Sequence, residues 1–214
     1  MRVRAKPWAI NEFASSPFFI QDGESLSDIF DNNNPIHIEI GCGKGQFITK
    51  TALKNPHINY LGIEKQERIA CLALKTAREA WQNQPQNLYF FVGEAEKIED
   101  YFNACSIERI YINFCDPWRS RAKWHKRRLT HRNFLEKYKK IMPKGEIHLK
   151  TDAQDLFNFS ISEFKSQNWE LLEINNNLHA YENDHIKTEY EEKFIQLGKP
   201  IYHLIAKNEV QNCY

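Results

Sequence analysis

The chain has no apolar stretch near the roughly 18 residues that a membrane helix requires, so no spanning helix is expected. A secretory leader is not expected either. The basic opening Met-Arg-Val-Arg-Ala-Lys-Pro-Trp is followed by AINEFASSPFFI, which polar residues interrupt before an apolar core can form. The five cysteines (42, 71, 105, 115 and 213) are odd in number, widely spaced and without a C-x-x-C pair. That usage argues against a disulfide framework and suits a reduced, cytoplasmic compartment. Cysteine and histidine do not fall at zinc-ligand spacing, so no metal centre is expected. Internal repeats and low-complexity tracts are absent, and so is a large net charge, the total being only +1.

What is present is a globular composition with a lopsided charge distribution. Hydrophobic residues make up 42% of the 214, enough for one domain with a sizeable core and too few for two full-sized ones. One domain is therefore expected over residues 1–214, with residues 1–22 a basic segment of no clear period. Between Arg119 and Arg132 lie seven Lys or Arg, two His and no acid. Adding Arg2, Arg4 and Lys6 gives ten cations in two short segments, which leaves the remainder net acidic. An acidic body with a concentrated basic patch describes a polyanion-binding face.

From residue 36 onward short apolar runs alternate with helical periods, which predicts an α/β fold with a doubly wound, mostly parallel sheet. The strands expected are Ile36 to Ile40, Tyr60 to Glu64, Leu88 to Val92, Arg109 to Phe114 and Glu146 to Lys150. Trp169 to Ile174 and Ile201 to Ala206 would add two more as an antiparallel edge. Helical faces are expected from Ile69, Leu72, Ala73, Thr76, Ala77 and Ala80, and from Phe134, Leu135, Tyr138 and Ile141. A rougher third face joins Leu156, Phe159, Ile161 and Phe164. Asn32-Asn33-Asn34-Pro35 should be a loop stopping a helix end at Asp28 to Phe30.

The first expected strand runs into Gly41-Cys42-Gly43-Lys44-Gly45, where missing Cβ atoms permit a tight turn and close approach to a ligand. A dinucleotide fingerprint would need glycine at position 46, which is Gln46. An ordinary tight strand-to-helix connection is the plainer alternative. Glu64 ends the second strand where an acid can accept hydrogen bonds from ribose hydroxyls. Glu39, Glu64, Glu94 and Asp116 all map to the carboxyl edge of the sheet. So many carboxylates would repel a pyrophosphate but attract the cationic sulfonium of S-adenosyl-L-methionine.

The fourth strand leads into Cys115-Asp116-Pro117-Trp118. Proline ends the ladder, leaving a carboxylate that can accept from an amide or exocyclic amine and a ring that can stack on a base. In isolation, Asp116 capping a turn and Trp118 in the core would be an equal reading. The basic run begins at the next residue and has Trp124 interleaved, a combination that points to RNA. His125 and His131 would extend that basic face, and Cys115 is expected to be a packed thiol.

These segments together resemble the bacterial tRNA (guanine-N7)-methyltransferase family. IEIGCGKG, YLGIE, NFCDPW with KRRLTHRNFLEKY, GEIHLKTD and TEYEEKF occur in order from about residue 36 to 194. The resemblance implies a Rossmann-like class I methyltransferase with a seven-stranded sheet, S-adenosyl-L-methionine as cofactor and a guanine of the tRNA variable loop as substrate. It implies cofactor contacts from Glu39, Gly41, Gly43, Gly45, Glu64, Glu94 and Asp116, with Asp116 also catalytic. Substrate contacts would come from Asp152, Thr188, Glu189, Tyr190 and Glu191, beside the base-stacking ring already expected of Trp118. Two departures stand out. The third acid is Glu94 where the family usually has Asp, and the loop after Trp118 is a residue longer, so Arg121 and Lys123 both qualify as the substrate-binding cation. Without the resemblance, Asp152 is a turn carboxylate and Thr188 with Glu191 a helix start. A methyltransferase for another RNA base, a protein methyltransferase and an inactive RNA-binding module stay open as alternatives, as do monomer and homodimer.

Overall fold

The computed structural model describes residues 16–20, 26, 29–81, 86–104, 106–180 and 185–209. Arg2, Arg4 and Lys6, and with them most of the expected N-terminal segment, lie outside these residues. So does Asp28, while Ile29 and Phe30 lie in a bend rather than a helix end. Seven strands appear in the order β3-β2-β1-β4-β5-β7-β6, the layout of a doubly wound sheet. The chain divides into two compact units, residues 1–102 and 103–214.

The first unit holds β1 (Ile36–Ile40), α1 (Gln46–Lys54), β2 (Asn59–Glu64), α2 (Glu67–Trp81), β3 (Leu88–Val92) and the single turn α3 (Ile98–Tyr101). Its strands are parallel, with Ile38 beside Leu61 and Ile63 beside Phe91. Every residue of β1 and β2 is buried, polar ones included, as expected of parallel strands covered on both faces. Helix α2 corrects the expected face. The buried residues are Ala70, Ala73, Leu74 and Ala77, whereas Ala80 is exposed and Ile69, Leu72 and Thr76 are half-buried. The alanines allow the helix to lie close, and a Cβ at Gly45 would stand only 2.8 Å from that of Ala73.

The second unit holds β4 (Arg109–Asn113), α4 (Arg132–Ile141), β5 (Lys144–Thr151), α5 (Gln154–Ser166), β6 (Glu170–Asn175), α6 (Glu189–Gln196) and β7 (Tyr202–Glu209). Strands β4 and β5 are parallel, while β7 runs antiparallel to both β5 and β6. The antiparallel pair therefore closes the sheet's edge, with β6 outermost. Helix α4 buries the four residues its period predicts, Phe134, Leu135, Tyr138 and Ile141. Helix α5 does not. It buries Leu156, Phe157, Ser160, Glu163 and Phe164, leaving Phe159 and Ile161 half-buried. Two polar residues occupy that face because each has a partner: Ser160 pairs with the Thr130 hydroxyl at 2.7 Å, and Glu163 accepts from Arg132. Among the described residues no helix is long and apolar enough to cross a membrane.

Candidate functional site

In the first unit the glycine segment leaves β1 as a turn made almost wholly of backbone. Gly41, Gly43 and Gly45 all take positive φ (76°, 57° and 70°), which L side chains rarely adopt. Gly41 N–H donates to Ile63 O at 2.8 Å, and Gly45 N–H to Cys42 O at 2.9 Å. Glu64 locks the turn: its Oε2 accepts from Gly43 N–H at 3.2 Å and its Oε1 from Gln66 N–H at 2.9 Å. A Cβ at Gly43 would meet nothing within 4 Å, so the turn faces open space there. Gly45 begins α1 without a side-chain cap. Glu39 sits on β1 and is 3% exposed, further inside than a strand-end position. Glu94, past the end of β3, is exposed, and its N–H donates to Tyr101 Oη at 3.1 Å. The structure thus joins the glycines with Glu64, with Glu94 two residues past β3 and Glu39 two residues before the turn.

In the second unit β4 ends at Asn113, one residue earlier than expected, because Phe114 takes φ 50°. Trp118 takes φ 48°, so two bulky residues in the left-handed region bracket Cys115-Asp116-Pro117. Such backbone costs about 1–3 kcal/mol each and persists only where the surroundings fix it. The Phe114 ring stacks on Tyr190 and Phe194, with centroids 6.0 and 5.8 Å away. Trp118 meets Trp124 edge-on at 6.2 Å and carries the Arg127 guanidinium over its face at 4.9 Å. Arg121 lies over Trp124 at 5.2 Å. Asp116 projects into solvent.

Between these aromatics the loop is pinned by an arginine of the run expected to meet phosphate. Arg128 is buried; its Nε donates to Pro117 O at 2.8 Å and its terminal nitrogen to Asp155 Oδ2 at 2.8 Å. Arg119 takes the other Asp155 oxygen at 2.7 Å. Burial works to raise the Asp155 carboxyl, but the hydrogen bond and charge of Arg119, joined by Arg128, outweigh it and hold the group below the usual carboxylate range. Arg132 is likewise committed to Glu163. The basic run therefore divides: Arg119, Arg128 and Arg132 bind the protein's own acids, while Arg121, Lys123, Lys126 and Arg127 are exposed. His131 also leaves the expected basic face. Its Nδ1 caps α4 by accepting from Asn133 N–H at 3.2 Å, and burial is the main cause lowering its pKa. Nothing in the local sequence announces Asp155 as the partner of Arg128, which lies 27 residues away.

Asp152 follows β5 and is half-buried. Register places Asn113 beside Lys150, so Asp152 lies two residues past that pair and Asp116 three. Thr188 to Glu191 opens α6 with a capping box, Glu191 N–H donating to Thr188 Oγ1 at 3.0 Å and Thr188 N–H to Glu191 Oε2 at 3.1 Å. Thr188 and Glu191 point inward, Glu189 is half-buried, and Tyr190 is 57% exposed.

The fold is that of methyltransferases. Solved structures similar to it include a 16S rRNA methyltransferase, KamB (TM-score 0.61, 10% identity, 82% of this chain and 88% of that one). A SAM-dependent methyltransferase from Aquifex aeolicus is another (TM-score 0.55, 11% identity, 81% of each chain). A family described as "Putative methyltransferase" matches residues 33–204. Full-length relatives narrow the class. A tRNA (guanine-N(7)-)-methyltransferase of Alkaliphilus oremlandii is 47% identical over 92% of each chain. Proteins of the same name from Lachnoclostridium phytofermentans (42%, covering 98% of this chain and 99% of that one) and Listeria innocua (46%, covering 97% and 98%) are similar to it as well. The chain belongs to the tRNA (guanine-N(7)-)-methyltransferase family.

Proposed function

We propose that this protein transfers the methyl group of S-adenosyl-L-methionine to N7 of a guanine in the variable loop of tRNA. Family membership supports the reaction. The observation that carries the site is the loop after β4, where exposed Asp116 adjoins paired Trp118 and Trp124 and four exposed cations. Aromatic faces for bases and point charges for phosphates are what an RNA surface needs.

The first unit suits the cofactor. Three positive-φ glycines leave the turn without a side chain at positions 41, 43 and 45, and Glu64 keeps acceptor capacity beyond its two backbone hydrogen bonds. S-adenosyl-L-methionine supplies an electrophilic methyl group on a cationic sulfur. Gly41, Gly43, Gly45, Glu64, Glu94 and Glu39 are assigned to holding it, and their carboxylates suit its positive charge. Neutral guanine N7 carries an in-plane lone pair and attacks without losing a proton, so the chain need provide no general base. Asp116 is assigned to orienting the purine through hydrogen bonds from its N–H groups and to stabilising the cationic character it gains. Trp118 stacks on a base, Arg121 and Lys123 meet phosphate, and Asp152, Glu189 and Tyr190 complete the tRNA contacts. Thr188 and Glu191 shape that segment as its cap. Such a substrate places the protein in the cytoplasm.

Unmodified tRNA transcript incubated with methyl-labelled cofactor should acquire label at a single guanine that becomes susceptible to N7-selective strand scission. Label in adenine or ribose would overturn the reading. Asp116→Asn should lower kcat/KM about 100-fold without loss of stability, the residue being exposed. Near-normal turnover by that variant would remove Asp116 from the chemistry.

A further inference from the structure

The chain after β6 and the start of α6 bring two imidazoles to one carboxylate oxygen. His179 Nε2 lies 2.9 Å from Glu191 Oε1, and His185 Nε2 reaches the same atom. Ligand atoms of all three residues fall within 4.8 Å of one another. Glu191 is fully buried, and its carboxylate is already oriented: Oε2 faces Lys150 Nζ at 3.1 Å and accepts from Thr188 N–H at 3.1 Å. Lys150 Nζ stands further from Oε1, at 3.4 Å, and has Ile186 O as a second partner at 3.3 Å. The nitrogens therefore converge on the oxygen that the cap and the lysine use least.

We propose that His179, His185 and Glu191 are the protein ligands of a divalent transition-metal ion, zinc by donor set, that clips the start of α6 to the chain after β6. Two imidazole nitrogens and one carboxylate oxygen are a recurrent three-ligand zinc set, with bonds of about 2.0–2.2 Å that leave a fourth position for water. The Thr188–Glu191 cap and Lys150 supply the outer-shell hydrogen bonds that hold a ligating carboxylate in place. The clip would steady Tyr190, whose ring stacks on Phe114 at the loop after β4. It does not depend on the methyl-transfer reading.

The test uses tag-free full-length protein stripped with a chelator and then titrated with Zn2+ under calorimetry and thermal melting. One ion per chain and a melting temperature that rises with free zinc are expected, since binding to the folded state alone stabilises it. His179→Ala and His185→Asn should each weaken zinc by at least the roughly 100-fold that loss of an outer-shell partner can cost. Co2+ in place of Zn2+ should give visible bands of nitrogen and oxygen ligation without thiolate charge transfer. Absence of stoichiometric binding to the wild-type protein would overturn the proposal whether or not the variants fold. So would thiolate bands, which would place the ion on cysteine, or zinc affinity unchanged in both variants.

Discussion

Two loops leave the carboxyl ends of two central strands, and they hold unusual backbone by opposite means. The turn after β1 uses residue type alone: glycine stands at each of its three left-handed positions, and one carboxylate from the neighbouring strand closes it. The loop after β4 puts Phe114 and Trp118 into the same region of φ and fixes them with Tyr190, Phe194, Trp124, Arg127 and Arg128. Backbone freedom makes the first cheap to form and lets its amides bond to Ile63, Cys42 and Glu64. Packing makes the second costly to form but allows it to carry a carboxylate and two indoles in place.

If that contrast holds, the first loop should be intolerant of any side chain where space is short. Gly45→Ala should destabilise the protein by about 3 kcal/mol, combining left-handed strain with overpacking against Ala73 and Phe90. Gly43→Ala has the strain without the clash and should cost about 1 kcal/mol. Urea midpoints for the two variants decide it, and equal costs would mean that conformation alone governs the turn.

The second loop should instead depend on distant partners. Arg128→Lys keeps the charge but cannot bridge Pro117 O and Asp155 together, and should cost about 2 kcal/mol of stability. Because Asp116 precedes the pinned Pro117, kcat/KM should fall as well. Stability loss with undiminished transfer would show that Arg128 serves only the fold.

Phe114→Gly sets the two means against each other at one position. Glycine would relieve about 1–2 kcal/mol of left-handed strain. It would also forfeit a half-buried ring stacked on two others, worth about 2–3 kcal/mol. The net expectation is a loss of about 1 kcal/mol by thermal melting. A variant more stable than the parent would break the comparison, because packing would then not be what holds the loop.

The same contrast explains how much could be read in advance. Local residue type carries the glycine turn, the strand alternation with helices, the face of α4 and the Thr188–Glu191 cap, and each of these was legible. Apolarity alone does not define the buried faces of α2 and α5. Close approach selected Ala70 over Leu72, and paired polar groups admitted Ser160 and Glu163. The basic run was legible as charge but not as use, since nothing near Arg128 in sequence reveals Asp155. His179 and His185 are illegible for the same reason: their meeting point is made by the tertiary structure and not by ligand spacing.

The smallest effect probes how that basic run is divided. Lys123 and Lys126 are exposed, so Lys123→Ala with Lys126→Ala should leave stability unchanged and weaken tRNA uniformly. The slope of log affinity against log salt should fall by about 2, one for each phosphate no longer neutralised. Arg119→Ala should do the reverse, loosening the loop through Asp155 while changing the slope little. Lys44 is exposed in the glycine turn and gives the control, because the loop proposed to hold a small cationic ligand would have no phosphate to lose. A Lys44→Ala slope that fell as far as the Lys123 and Lys126 pair would place RNA on both loops and end the distinction between them.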